Sequence, residues 1–141
     1  RRALWDIGCN YLHGTGHGIG HYLNVHEGPI SIRSKAADVK FAEGHVISNE
    51  PGFYKDGAYG IRTENLVAVV LDEDRSSDLQ KFLRFETLSR CPIETSLIDR
   101  DLLGDAATAW LNAFHNQVRS DLSPLLDPAA AAWLETKTEP V

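Results

Sequence analysis

The 141-residue chain is 43% hydrophobic with a formal net charge of -6. That is enough apolar material for one globular core, and it excludes a clustered basic surface, so neither nucleic acid nor a membrane surface is expected as a partner. Only two cysteines, Cys9 and Cys91, are present; they read as buried, reduced thiols of a cytoplasmic protein, not a disulfide framework.

No apolar run is long enough to span a bilayer, and nothing behind Arg1-Arg2 resembles the apolar stretch of a signal peptide. The chain contains no methionine and opens in what reads as the end of a helix. Both features point to part of a larger protein.

Residues 1 to 12 are expected to be that helix end, with Ala3, Leu4, Ile7 and Leu12 near helical spacing and Gly8 closing it. A glycine at every second position from Gly14 to Gly20 then excludes a stable helix, because each costs about 1 kcal/mol relative to alanine. As an extended segment it would turn His13, His17 and His21 to one face and leave the glycines free for close backbone approach. Four of the six histidines fall between residues 13 and 26.

Tyr22 to His26 continues in an extended style and ends in a turn at Glu27-Gly28-Pro29. Residues 33 to 44 form a polar excursion. His45 to Glu50 reads as a strand stopped by Pro51-Gly52, and Gly60 to Val70, rich in β-branched residues, as a longer one. Asp56-Gly57 signals a hairpin between them. Centred on Gly57, that hairpin would set Glu50 opposite Glu64 with Cβ atoms about 5 Å apart. Two like charges there repel, so something positive should lie between them. Period-2 alternation also places Arg62 on the Glu64 face.

The tail is expected to form a helix over 106 to 118, with Ala109, Trp110, Ala113, Phe114 and Val118 on its packed face. A second, shorter helix is expected from Pro128 to Thr136, anchored by Trp133.

A histidine and two carboxylates suit a first-row ion such as manganese, cobalt or zinc better than calcium or magnesium alone. Spacing by itself leaves that open against a solvated strand face. The run His13-Gly-Thr-Gly-His17-Gly-Ile-Gly, then Tyr22-Leu-Asn-Val-His26-Glu-Gly-Pro, Asn49-Glu50-Pro-Gly-Phe-Tyr54 and Gly60-Ile-Arg62-Thr-Glu64-Asn closely resembles the Xaa-Pro aminopeptidases (aminopeptidase P) of the pita-bread metallopeptidase family M24. The tail from about Leu79 resembles the C-terminal extension of the longer, cytosolic members.

The resemblance implies an α+β fold, the C-terminal half of a pita-bread domain with a curved antiparallel sheet covered by helices on one side. Residues 1–78 would be that catalytic half and 79–141 the extension. It implies removal of the N-terminal residue from peptides with proline second, at two divalent ions, manganese first and zinc or cobalt as alternatives. His17, Glu50 and Glu64 would be metal ligands. His13 and His26 would flank the substrate carbonyl and pass protons, while Tyr54 and Arg62 would stand behind the ligands, Arg62 holding a carboxylate.

The family's two aspartate ligands lie upstream of the His-Gly-Thr-Gly-His motif, and Asp38, Asp56 and Asp72 do not occupy their positions. His21 has no role in the family. The implied partners are Xaa-Pro peptides, the N-terminal part of the same protein and a second subunit in a homodimer. By itself the chain is expected to bind at most one ion weakly and to show no peptidase activity. The alternatives are an inactive fragment or paralogue with a binding role, or another pita-bread activity such as prolidase.

Overall fold

A computed structural model describes residues 1–22, 24–35 and 38–141. Leu23, within the stretch expected to be extended, and Ala36 and Ala37, within the polar excursion, lie outside the described residues. The chain forms two compact units, Arg1–Ser89 and Arg90–Val141.

The first unit opens with a single helical turn, α1 (Arg2–Trp5), shorter than the helix end expected. It closes at Gly8 as predicted, with the Cys9 N–H reaching back to the Leu4 carbonyl at 2.8 Å. Leu12, expected on its apolar face, is 97% exposed. Three antiparallel ladders follow: β1 (Gly16–His17) with β2 (Ser31–Ile32), β3 (Val46–Asn49) with β6 (Asn65–Leu71), and β4 (Gly52–Lys55) with β5 (Tyr59–Arg62). The strand β7 (Leu83–Thr87) adds to the far edge of β6. Alternation along β6 turns Val67 and Val69 inward, where they bury with Ile47 against Ile30 and Ile32.

The long strand expected over 60 to 70 is two strands in different ladders. Both ladders nevertheless keep one register, with Asn49 opposite Asn65 and Gly52 opposite Arg62. The interruption falls at Pro51, which has no N–H to donate to a ladder, and Gly57 sits at the predicted turn with φ +70°.

The run from Gly14 to Gly20 is extended only briefly. Gly16 lies so close to β3 that a Cβ there would stand 2.0 Å from the Ser48 carbonyl oxygen, which is the close approach the glycine spacing suggested. The chain then folds back instead of continuing: Gly20 N–H reaches the Asn24 carbonyl at 2.8 Å and Glu27 N–H the Gly18 carbonyl at 2.9 Å. Tyr22 and Val25 are consequently exposed in bends and not in a strand. The three-histidine face does not form, because His21 lies on the returning loop.

In the second unit, α2 (Arg100–Leu122) is longer than expected and kinks at Gly104. Asp99 caps its start, accepting from the Leu102 N–H at 3.1 Å. Its buried face is Thr108, Leu111, Phe114, His115 and Val118; Ala109, Trp110 and Ala113, expected inside, are exposed. The short helix α3 (Pro128–Lys137) begins at the expected Pro128 behind an Asp127 cap. Leu134, 1% exposed, anchors it to Leu111, Phe114 and Val118, whereas Trp133 is 57% exposed. Both cysteines are free, but Cys91 is exposed and Cys9 only half-buried, contrary to the expectation of two buried thiols. No helix among the described residues is long and apolar enough to cross a membrane.

Candidate metal centre

The ladder positions bring the predicted residues into one chain of contacts. His17, on β1, directs Nε2 to within 3.1 Å of Glu50 Oε1. Its Nδ1 lies 2.9 Å from the Gly18 carbonyl oxygen. A carbonyl can only accept, so Nδ1 carries the proton and Nε2 is left to face the carboxylate. Glu50, just past the end of β3, is 8% exposed, and its other oxygen accepts from an Arg62 guanidinium NH at 2.9 Å.

Arg62, on β5, donates its Nε–H to the Tyr54 hydroxyl at 2.7 Å. That bond is the largest factor raising the guanidinium above its ordinary value, and the charges of Glu50 and Glu64 add to it. The Tyr54 ring meets His13 edge-on, centroids 5.5 Å apart. At the other end, the exposed His26 ring packs on His17 with centroids 3.9 Å apart, because the returning loop delivers it there. His13, Tyr54, Arg62, Glu50, His17 and His26 therefore form a continuous line.

Glu64 does not join that line. It is exposed, opposite Glu50 in the shared register, and Arg62 supplies the positive charge expected between the two carboxylates. Among the described residues no group of three or more His, Cys, Asp and Glu side chains converges closely enough to hold an ion. The structure thus brings His17 and Glu50 together and leaves Glu64 apart.

The donor chemistry fits a divalent ion at His17 and Glu50. A His whose Nδ1–H is fixed by a backbone carbonyl, with Nε2 turned to a carboxylate, is the arrangement of a ligating imidazole. His13 offers a second polar atom in need of a partner. Its Nδ1 lies 2.6 Å from the Gly14 carbonyl oxygen, and its Nε2 is buried without a hydrogen-bond partner.

Two contributors are absent from the predicted set. Ser48, fully buried on β3, accepts from the His17 N–H at 3.0 Å and donates to Glu50 Oε1 at 2.9 Å. Its position two residues before Glu50, on the same strand face, was the available signal. Arg1 stacks on the Tyr11 ring at 3.8 Å and donates to the backbone carbonyls of Tyr11 and His13; no sequence pattern indicated this.

The mixed α+β fold and the paired His17 imidazole and Glu50 carboxylate lie in a chain of a metallopeptidase family. The chain belongs to metallopeptidase family M24: residues 1–70 match that family and residues 81–141 match the C-terminal region of peptidase M24. It is 46% identical over 147 residues to a probable Xaa-Pro aminopeptidase P of Coprinopsis cinerea, covering 100% of this chain and 24% of that protein. To aminopeptidase P1 of Lotus japonicus it is 45% identical over 144 residues, covering 100% of this chain and 22% of the relative.

Among solved structures, X-prolyl aminopeptidase from Caenorhabditis elegans, described as a cytosolic enzyme with a di-nuclear active site, superposes with a TM-score of 0.91 at 39% identity. That match covers 100% of this chain and 23% of the solved one. The fold is accordingly of the pita-bread type, and the chain spans about a quarter of the length of the relatives it matches.

Proposed function

We propose that the protein to which this chain belongs is a metal-dependent Xaa-Pro aminopeptidase, removing the N-terminal residue from peptides with proline in second position. The observation that carries this reading is the unbroken line from His13 through Tyr54, Arg62 and Glu50 to His17 and His26. It occurs in a chain similar throughout its length to proteins of that name.

In this reading His17 and Glu50, with Glu64, hold two divalent ions, manganese by preference, together with ligands from the rest of the protein. When bound, the ions supply positive charge that acidifies water and neutralises a developing oxyanion. The residues of this chain do the rest. Arg62 orients the Glu50 carboxylate through the bond to Oε2, while Tyr54 holds Arg62 in place. His13, with Nε2 unpartnered, meets a polar group of the substrate at the scissile bond. His26, exposed beside His17, passes protons.

Residues 1–78 would be the catalytic half and 79–141 the extension; by this division β7 of the extension completes the first unit's sheet. A homodimer in the cytoplasm, assembled with the N-terminal part of the same protein, is the setting we infer from the resemblance and the sparse cysteines.

The test is hydrolysis of a tripeptide with proline second by the full-length protein in manganese. Turnover that requires proline supports the reading, and equal turnover of peptides lacking it would overturn it. His26→Ala should lower turnover by about 10²-fold or more while bound metal is unchanged; loss of metal would show that its role is different.

A further inference from the structure

The Glu50 carboxylate has two suitors. Arg–carboxylate pairs tend to close into a two-bond fork, yet here Arg62 takes only Oε2, because its Nε is committed to Tyr54 and Oε1 is engaged elsewhere. What engages Oε1 is the Ser48 hydroxyl, 2.9 Å away. The direction of that bond follows from its surroundings: the same hydroxyl receives the His17 N–H at 3.0 Å, so its single proton is given to the carboxylate. Ser48 is fully buried, and water cannot substitute for either partner. One hydroxyl therefore fixes the backbone of His17 and the side chain of Glu50 relative to each other, and it keeps Oε1 facing His17 Nε2 at 3.1 Å.

We propose that Ser48 is a positioning residue of the metal centre, withholding one Glu50 oxygen from Arg62 so that it stays directed with His17 Nε2 at an ion. This deepens, and rests on, the metallopeptidase reading above. Removing the hydroxyl lets the carboxylate turn toward Arg62 and frees the His17 backbone, so the two ligand atoms lose their common orientation. Loss of such an outer partner typically weakens metal binding by about 10–100-fold.

The experiment compares full-length wild type with Ser48→Ala and Ser48→Thr, measuring manganese affinity by competition with a chelator and the visible spectrum after cobalt substitution. Thermal midpoints are recorded on metal-free protein alongside. Ser48→Ala should bind manganese about 10–100-fold more weakly with an altered cobalt spectrum, and Ser48→Thr, which keeps the hydroxyl, should restore both. If Ser48→Ala does not fold, Ser48→Cys, similar in size but a weak donor, takes its place. A lowered midpoint with wild-type manganese affinity and cobalt spectrum would overturn the proposal, making Ser48 merely structural. Wild-type protein that binds no manganese would instead overturn the metallopeptidase reading, and this proposal with it.

Discussion

Glu50 and Glu64 stand opposite each other in one register, yet Glu50 is buried and Glu64 is exposed. Arg62 lies with the buried partner at 2.9 Å, so their mutual repulsion is already offset. Metal-free Glu64→Gln should therefore melt within about 0.5 kcal/mol of wild type. Glu50→Gln, which strips Arg62 and Ser48 of a charged acceptor, should cost about 1–3 kcal/mol. In saturating manganese Glu64→Gln should instead lose stabilisation, since a ligand binding the native state stabilises it by mass action. Thermal melts of both variants with chelator and with manganese check this; a large metal-free loss in Glu64→Gln would show that it is a structural group.

The close approach of β1 to β3 depends on the absence of one side chain. A Cβ at Gly16 would lie 2.0 Å from the Ser48 carbonyl oxygen and 3.0 Å from its carbon, both backbone atoms that cannot swing away, whereas at Gly14 the nearest atom is 3.5 Å distant. Gly16→Ala is expected to cost about 1–3 kcal/mol or more, and to separate His17 from Glu50, while Gly14→Ala should be mild. Denaturation midpoints of the two variants decide it; equal midpoints would contradict the strand contact.

His115 supplies a pH dependence unrelated to the metal centre. It is fully buried, its Nε2 accepts the Ile93 N–H at 3.1 Å, and its Nδ1 has no partner. Burial pushes the imidazole below its ordinary value, and the Arg119 charge pushes the same way. In the unfolded chain a histidine titrates near about 6.5, so below that pH the unfolded state binds more protons than the folded one. Stability should be full above that value and fall as the pH drops through the depressed native one. Chemical denaturation at several values from neutral to mildly acidic pH should show this slope, and His115→Gln, which keeps an acceptor for Ile93 but cannot charge, should flatten it. An unchanged slope in that variant would exclude His115 as its source.

The anchor of α3 is Leu134 and not the neighbouring tryptophan. Leu134→Ala opens space among Leu111, Phe114 and Val118 and should cost about 2–5 kcal/mol. Trp133→Ala, more than half exposed, should fall within about 0.5 kcal/mol. Urea titrations of the two variants rank them; the reverse order would mean that the tryptophan carries the packing.

Local chemistry was legible in the sequence wherever a residue type has a single backbone consequence. Asp56-Gly57 set the hairpin and its register, Pro51 marked the break in the strands, Pro128 began a helix, and the alternating glycines marked the place where two backbones touch. The residues of the contact line, His13, His17, His26, Glu50, Tyr54 and Arg62, were legible through the family resemblance, because spacing alone left a solvated strand face as an alternative.

What the sequence could not determine was the partner of each group. Period-2 reasoning aligned His13, His17 and His21, but the bonds from Gly20 to Asn24 and from Gly18 to Glu27 turn the chain back, exposing His21 and laying His26 on His17. Helical spacing selected Trp110 and Trp133 for burial, whereas packing turned Leu111 and Leu134 inward. A helix stripe defines a face only once something packs on it. Ser48, an ordinary strand residue by composition, became the joint between His17 and Glu50 only because Gly16 lets β1 lie against β3. Pairings between residues far apart in sequence depend on which surfaces meet, and only the tertiary structure decides that.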